Sequence, residues 1–117
     1  MQVLQTLEQT IWQRKSEAAT GASYTARLLA GGVEAISEKV LEEAREVVEA
    51  AGEPGDEGAA HTVYEAADVV YHLLVLLASR DLHFSEVERE LARRFGVSGL
   101  AEKASRKPPP GPSHPTP

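Results

Sequence analysis

Thr62-Val63-Tyr64-Glu65-Ala66-Ala67-Asp68-Val69-Val70-Tyr71-His72-Leu73-Leu74-Val75-Leu76-Leu77-Ala78 is the stretch on which the fold turns. It holds no Gly or Pro, is long for a strand, and lacks period-two alternation, so a helix is predicted from about Ala60 to Arg80. Beyond Ala66 that helix is apolar on nearly every side, and such a helix must be buried all round. Its only charged or imidazole side chains are Glu65, Asp68 and His72. Their i, i+3, i+7 spacing puts them on one side, and His61 extends the stripe by a turn. Each has an ordinary explanation by itself: a capping box at Thr62-Val63-Tyr64-Glu65, a bond from Asp68 to His72, a satisfied core histidine.

Just upstream, Val33 to Ala51 is rich in strong helix formers, and Gly52-Glu53-Pro54-Gly55 stops it. Ile36, Val40, Ala44, Val47 and Ala51 form its apolar face, with Glu43 at the margin and Glu42 and Glu46 beside it. A solvated face accounts for Glu34, Glu38, Glu49 and Glu53. It accounts poorly for Glu43, because a carboxylate beside an apolar stripe needs a cation or donors.

Toward the N-terminus, Val3, Leu4, Leu7 and Ile11 predict a helix from Val3 to about Ala19, ended by Thr20-Gly21. A short helical piece from Ser23 to Ala30 follows, to be terminated at Gly31-Gly32 by left-handed backbone. On the other side, Ser85-Glu86-Val87-Glu88 has capping-box spacing and opens a helix ending near Phe95-Gly96, with Leu100 to Ser105 as a short coda. No segment alternates as a strand, so the fold class is all-α. One domain over 1–105 is expected, followed by a flexible proline-rich tail over 106–117 that holds six of the seven prolines. Two long helices cannot enclose the apolar one, and dimerisation completing a helical bundle is the economical expectation.

The 117 residues carry a net charge of −6, and Glu34 to Asp68 alone carries −9. No basic stripe exists to displace counterions from phosphates, which argues against nucleic acid as a partner. The absence of cysteine excludes disulfides and thiolate zinc sites and fits a cytoplasmic location. The N-terminus does not read as a signal peptide. The apolar run from Val69 to Ala78, interrupted by His72, is too short to span a bilayer, so no membrane role is expected.

The two carboxylate pairs, Glu43/Glu46 and Glu65/Asp68, lie on helices joined by a short loop and must converge. Like charges in a partly buried groove repel unless a cation sits between them. Carboxylate oxygens without thiolates select a hard ion, magnesium with manganese as a substitute. A metal that neutralises phosphates and orients a water suits phosphoanhydride hydrolysis.

The order Glu42-Glu43-x-x-Glu46, an eighteen-residue gap, then Glu65-x-x-Asp68 resembles the signature of the all-α MazG-like nucleotide pyrophosphohydrolases. Within that superfamily, four stretches resemble the phosphoribosyl-ATP pyrophosphatase family: Arg14-Lys15, Ser23-Tyr24-Thr25-Ala26-Arg27-Leu28-Leu29, Glu38-Lys39-Val40-Leu41-Glu42-Glu43-Ala44, and Glu65 through Leu77. The similarity continues through Glu86 to Phe95 and covers about ninety residues in order. Leu41 stands where a glycine is expected, and the proline-rich tail lies outside the pattern.

This resemblance implies hydrolysis of phosphoribosyl-ATP to phosphoribosyl-AMP and diphosphate, the second step of histidine biosynthesis. It implies Glu42, Glu43, Glu46, Glu65 and Asp68 as metal ligands, with Glu42 or Glu43 also activating the water. Arg14, Lys15, Arg27 and Lys39 are candidate phosphate partners, with Ser23, Tyr24 and Thr25 as hydroxyl donors. A separate phosphoribosyl-AMP cyclohydrolase would act next. Two rival readings stand beside this one. A house-cleaning nucleoside triphosphate pyrophosphohydrolase would share the metal site, and a non-catalytic helical dimerisation module would be indifferent to magnesium.

Overall fold

The computed structural model describes residues 2–96. Its elements are α1 (Val3–Ser16), a 3-10 turn (Ala18–Thr20), α2 (Tyr24–Ala51), α3 (Gly55–Ser79) and α4 (Phe84–Phe95). No strand occurs among the described residues, as the all-α reading requires. The expected coda at Leu100–Ser105 and the tail over 106–117 lie outside them. The chain divides into two units, Met1–His83 and Phe84–Pro117.

In the first unit the main packing is between α2 and α3. Ser23 starts α2: its extended backbone leaves the side-chain oxygen to accept from the Ala26 N–H at 3.0 Å. The break expected at Gly31-Gly32 is a kink within a longer helical element. Gly32 sits at φ 82°, ψ −174°, a region open essentially to glycine alone, and the helix resumes beyond it to Ala51.

Glycine is needed at Gly58 for a different reason. A Cβ there would lie 2.1 Å from the Glu53 carbonyl oxygen, so the chain folds back closely over the first turn of α3. That helix begins at Gly55, a turn earlier than the expected Ala60, because Pro54 precedes it in extended geometry and the first-turn acids Asp56 and Glu57 suit a helix N-terminus.

Ile11, Ile36, Leu74 and Val75 are fully buried, with Ala26, Ala50 and Ala78 filling between them. Each of the four large side chains stabilises the fold by roughly 1.5–3 kcal/mol. On α2 the buried line runs Ile36, Glu43, Ala50, at seven-residue spacing. Glu43 is therefore at the centre of the packed face rather than its margin, and Ala51, expected inside, is exposed. The wheel was off by part of a turn because the face is set by where α3 lies.

Within the single chain α3 keeps open faces: Val63 and Tyr64 before Ala66, and Val70 and Leu73 beyond it, the latter on the stretch that the sequence expects a second subunit to help cover. Its 25 residues are long and apolar enough to cross a membrane by length and composition, in contrast to the shorter run read from sequence. The buried Glu65 and His72 on it suit a core helix better.

α3 ends in a Schellman motif, with Leu82 N–H donating to Leu77 O at 2.9 Å and Asp81 N–H to Ala78 O at 3.0 Å. Asp81 takes the left-handed position at φ 60°. Lys15 locks it from α1: its Nζ donates to Ala78 O at 2.8 Å, pairs with the Asp81 carboxylate, and lies 4.9 Å from the Trp12 ring centre. Trp12 in turn stacks on His83 at 4.4 Å.

α4, in the second unit, opens at Phe84, one residue ahead of the Ser85 capping-box reading, and ends at Gly96, φ 64°. On it Arg93 and Arg94 both hold Glu90, at 2.7 and 2.9 Å.

Candidate metal centre

Helical spacing places Glu43 and Glu46 one turn apart on α2, and the short turn at Gly52–Pro54 returns the chain so that Glu65 of α3 faces them. Oxygens of Glu43, Glu46 and Glu65 come within 4.8 Å of one another. Glu43 is 7% and Glu65 8% exposed, and one oxygen of each, Oε1, is buried with no hydrogen-bond partner. Buried carboxylate oxygens left without donors are costly, and three carboxylates that converge this way fit a hard divalent cation.

Burial pushes the Glu43 carboxyl up to about 7, with the charges of Glu46 and Asp68 adding to the effect. Asp68, one turn beyond Glu65, thus lies close enough to act on Glu43, although it stands outside the three-residue cluster. Glu42 is not gathered in. It is exposed, and Lys39 Nζ donates to its Oε1 at 3.2 Å.

His61 supports the cluster from one side. Its Nε2 contacts Glu65 Oε2 at 3.1 Å and its Nδ1 contacts Glu53 Oε1 at 2.9 Å. Two carboxylates on one imidazole, Glu53 foremost, raise its pKa. Gly58 holds the Glu53 backbone close, so the unsubstituted glycine, Glu53, His61 and Glu65 form one supporting chain. The i, i+4 spacing of His61 and Glu65 signals their contact. Glu53, which reads as a solvated acid in the sequence, is found only by the turn.

On the other side, His72 is 4% exposed and joins α3 to the start of α2. Its Nδ1 is 2.9 Å from the Asp68 carbonyl oxygen and its Nε2 is 3.0 Å from Tyr24 Oη. The bond to Asp68 expected from sequence is therefore made, but to the backbone. Thr25 bonds the hydroxyl of Tyr71, whose ring packs edge-on to His72 at 4.8 Å. Lys39, Glu43 and Glu42 all act electrostatically on Tyr24, which places this hydroxyl cluster beside the carboxylates.

The remaining candidates have structural partners. Ser23 caps α2, and Lys15 caps α3 with Asp81, so the sequence reading of both as phosphate partners meets a competing use for each. Arg14 pairs with Glu17 at 3.4 Å. Arg27 is exposed and reaches the Gly21 carbonyl at 3.4 Å.

Residues 4–95 match the family model described as phosphoribosyl-ATP pyrophosphohydrolase. Curated relatives named phosphoribosyl-ATP pyrophosphatase include one from Rhodopirellula baltica, 52% identical over 88% of this chain and 85% of its own length. Another, from Methylococcus capsulatus, is 51% identical over 92% of this chain and 98% of its own. A third, from Dinoroseobacter shibae, is 53% identical over 91% of this chain and all of its own. No solved structure matches.

Proposed function

The chain belongs to the phosphoribosyl-ATP pyrophosphohydrolase family, and from that premise we infer that it is the hydrolase for the pyrophosphate step of histidine biosynthesis. It breaks the phosphoanhydride bond between the α- and β-phosphates of phosphoribosyl-ATP. Water supplies the new oxygen, and the products are phosphoribosyl-AMP and diphosphate. The observation that carries this at the level of chemistry is the convergence of Glu43, Glu46 and Glu65 with two buried oxygens lacking donors.

We assign the metal as magnesium, with manganese as a substitute, held by Glu43, Glu46 and Glu65 and completed by Asp68. Bound there, the ion would neutralise phosphate oxygens and stabilise the departing diphosphate. Glu42 is the better candidate to orient and deprotonate the water, because it is exposed on the same helix while Glu43 is turned into the cluster. Of the four candidate cations, Arg27, with one long contact to a carbonyl, and Lys39, paired with the exposed Glu42, are the ones assigned to the phosphates.

A second copy of the chain covers the open side of the helix pair, as the exposure of Val48, Val63, Tyr64 and Leu73 suggests. Its place is the cytoplasm, in keeping with the absence of cysteine.

The test is diphosphate release from phosphoribosyl-ATP, with ATP, dCTP and dUTP in parallel, each with and without magnesium. Metal-dependent turnover of phosphoribosyl-ATP alone is expected. Broad triphosphate cleavage would favour the house-cleaning role, and indifference to magnesium would defeat the metal assignment.

A further inference from the structure

Tyr24 has one proton, and the structure allows its destination to be worked out. The Asp68 main-chain oxygen, 2.9 Å from His72 Nδ1, can only accept a hydrogen bond. Nδ1 must therefore carry a proton, and in the neutral ring Nε2 is then a bare lone pair. Tyr24 Oη, 3.0 Å away, has to be the donor to it. Burial raises the Tyr24 phenol above its ordinary range, so the proton is present at neutral pH.

The hydroxyl has consequently spent its donor inside the protein, yet Tyr24 is 44% exposed and close enough to Glu43 and Glu42 to feel their charge. What it offers to a ligand is oxygen lone pairs alone. An ionised phosphate has no hydrogen to give them. The Lys39 ammonium nearby is engaged with Glu42 at 3.2 Å. In a nucleotide whose phosphates lie at the carboxylates, the nearest donors are the hydroxyls of the adjoining sugar.

We propose that Tyr24 is a specificity residue that accepts a hydrogen bond from a nucleoside sugar hydroxyl, and that His72 positions it for this by taking its only proton. This rests on the nucleotide-hydrolase reading above, and it reverses the sequence expectation that Tyr24 donates to phosphate. The Tyr71 ring, with its centre 6.4 Å from that of Tyr24 and inclined by 23°, holds the phenol from the side, and Ser23 fixes the backbone by capping the helix that Tyr24 begins.

Two measurements on the full chain decide it. The first is a long-range nitrogen–proton correlation spectrum of the unaltered protein labelled at histidine. His72 is expected to carry a proton on Nδ1 and none on Nε2; a proton on Nε2, with or without one on Nδ1, would overturn the proposal, because Tyr24 would then be free to donate. The second compares the unaltered chain with Tyr24→Phe in magnesium, which keeps the ring and removes the oxygen. Binding of AMP should weaken by about tenfold, the size of one hydrogen bond. Binding of diphosphate should be unchanged, and the preference of the unaltered chain for AMP over 2′,3′-dideoxy-AMP should vanish in the variant. KM for phosphoribosyl-ATP should rise with little change in kcat. A loss of diphosphate binding in step with AMP, or no change in either, would overturn the proposal. Failure of the unaltered chain to hydrolyse phosphoribosyl-ATP would defeat the functional reading instead, while the position of the His72 proton, read without substrate, still decides the donor assignment.

Discussion

Glu43 on α2 and Glu90 on α4 are the same side chain in opposite circumstances. Glu90 lies exposed between Arg93 and Arg94, and their hydrogen bonds bring its pKa down to about 2. Glu43 is buried beside Glu46 and Glu65, and its pKa is pushed up to about 7. The charge on α4 is answered within its own helix. The charge at the α2–α3 contact is left for something outside the chain to answer, and an acid kept at a folding cost is where chemistry is to be sought.

The sharpest way to break the contrast is Glu46→Gln. It should lower turnover of phosphoribosyl-ATP by at least about a hundredfold, the scale of losing a metal ligand or its supports, with helix content by circular dichroism unchanged. Near-normal activity would take Glu46 out of the site. Glu90→Gln serves as the paired control and should leave turnover alone.

The next effect is on stability against pH in metal-free protein. The Glu43 pKa is raised in the fold from an ordinary 4.5 to about 7. Its contribution is therefore fully present below pH 4.5 and lost as pH rises through 7. Melting temperature in chelator should fall over that interval, magnesium at pH 8 should restore it, and Glu43→Gln should flatten both responses. A slope that survives Glu43→Gln would mean another group carries it.

Gly58→Ala tests the support beneath the cluster. A Cβ against the Glu53 carbonyl forces the turn apart, at about 1–3 kcal/mol by analogy with overpacked cores, read as a lower denaturant midpoint. Weaker magnesium binding should accompany it, because Glu53 holds His61 and His61 holds Glu65. Unaltered metal affinity would show that the chain of contacts does not reach the site.

The smallest effect belongs to α4. Its depressed acid stabilises the helix above the ordinary 4.5, and that help is lost as pH falls through about 2. Between those values Glu90→Gln and the unaltered chain should converge, and at pH 7 thermal melts should barely separate them, since exposed pairs contribute little.

The sequence made the helices legible because their signals are local: the Gly52–Gly55 break, the apolar run through Leu77, the absence of strand alternation. It made the acids legible as well, since i, i+3 spacing puts two carboxylates on one face whatever lies opposite. It misplaced Glu43 at a margin and Ala51 inside, because a wheel orders side chains around an axis without saying where the partner helix sits. Lys15 illustrates the same limit. Read among family-like basic residues it looks like a phosphate partner, yet residues 63 and 66 positions away engage it at the end of α3.

What the sequence determined by itself, then, is the all-helical fold, the acidic pairs and, through its resemblance, the family and reaction. Those depend on residue type and spacing along one chain segment. Tertiary structure alone decided which acids meet, that Glu42 stays outside them, that Glu53 and His61 stand behind Glu65, and that the His72 ring meets the Tyr24 hydroxyl. Each of these is a contact across a turn or between helices, and hydrogen bonds and desolvation act only over the few ångströms that packing sets.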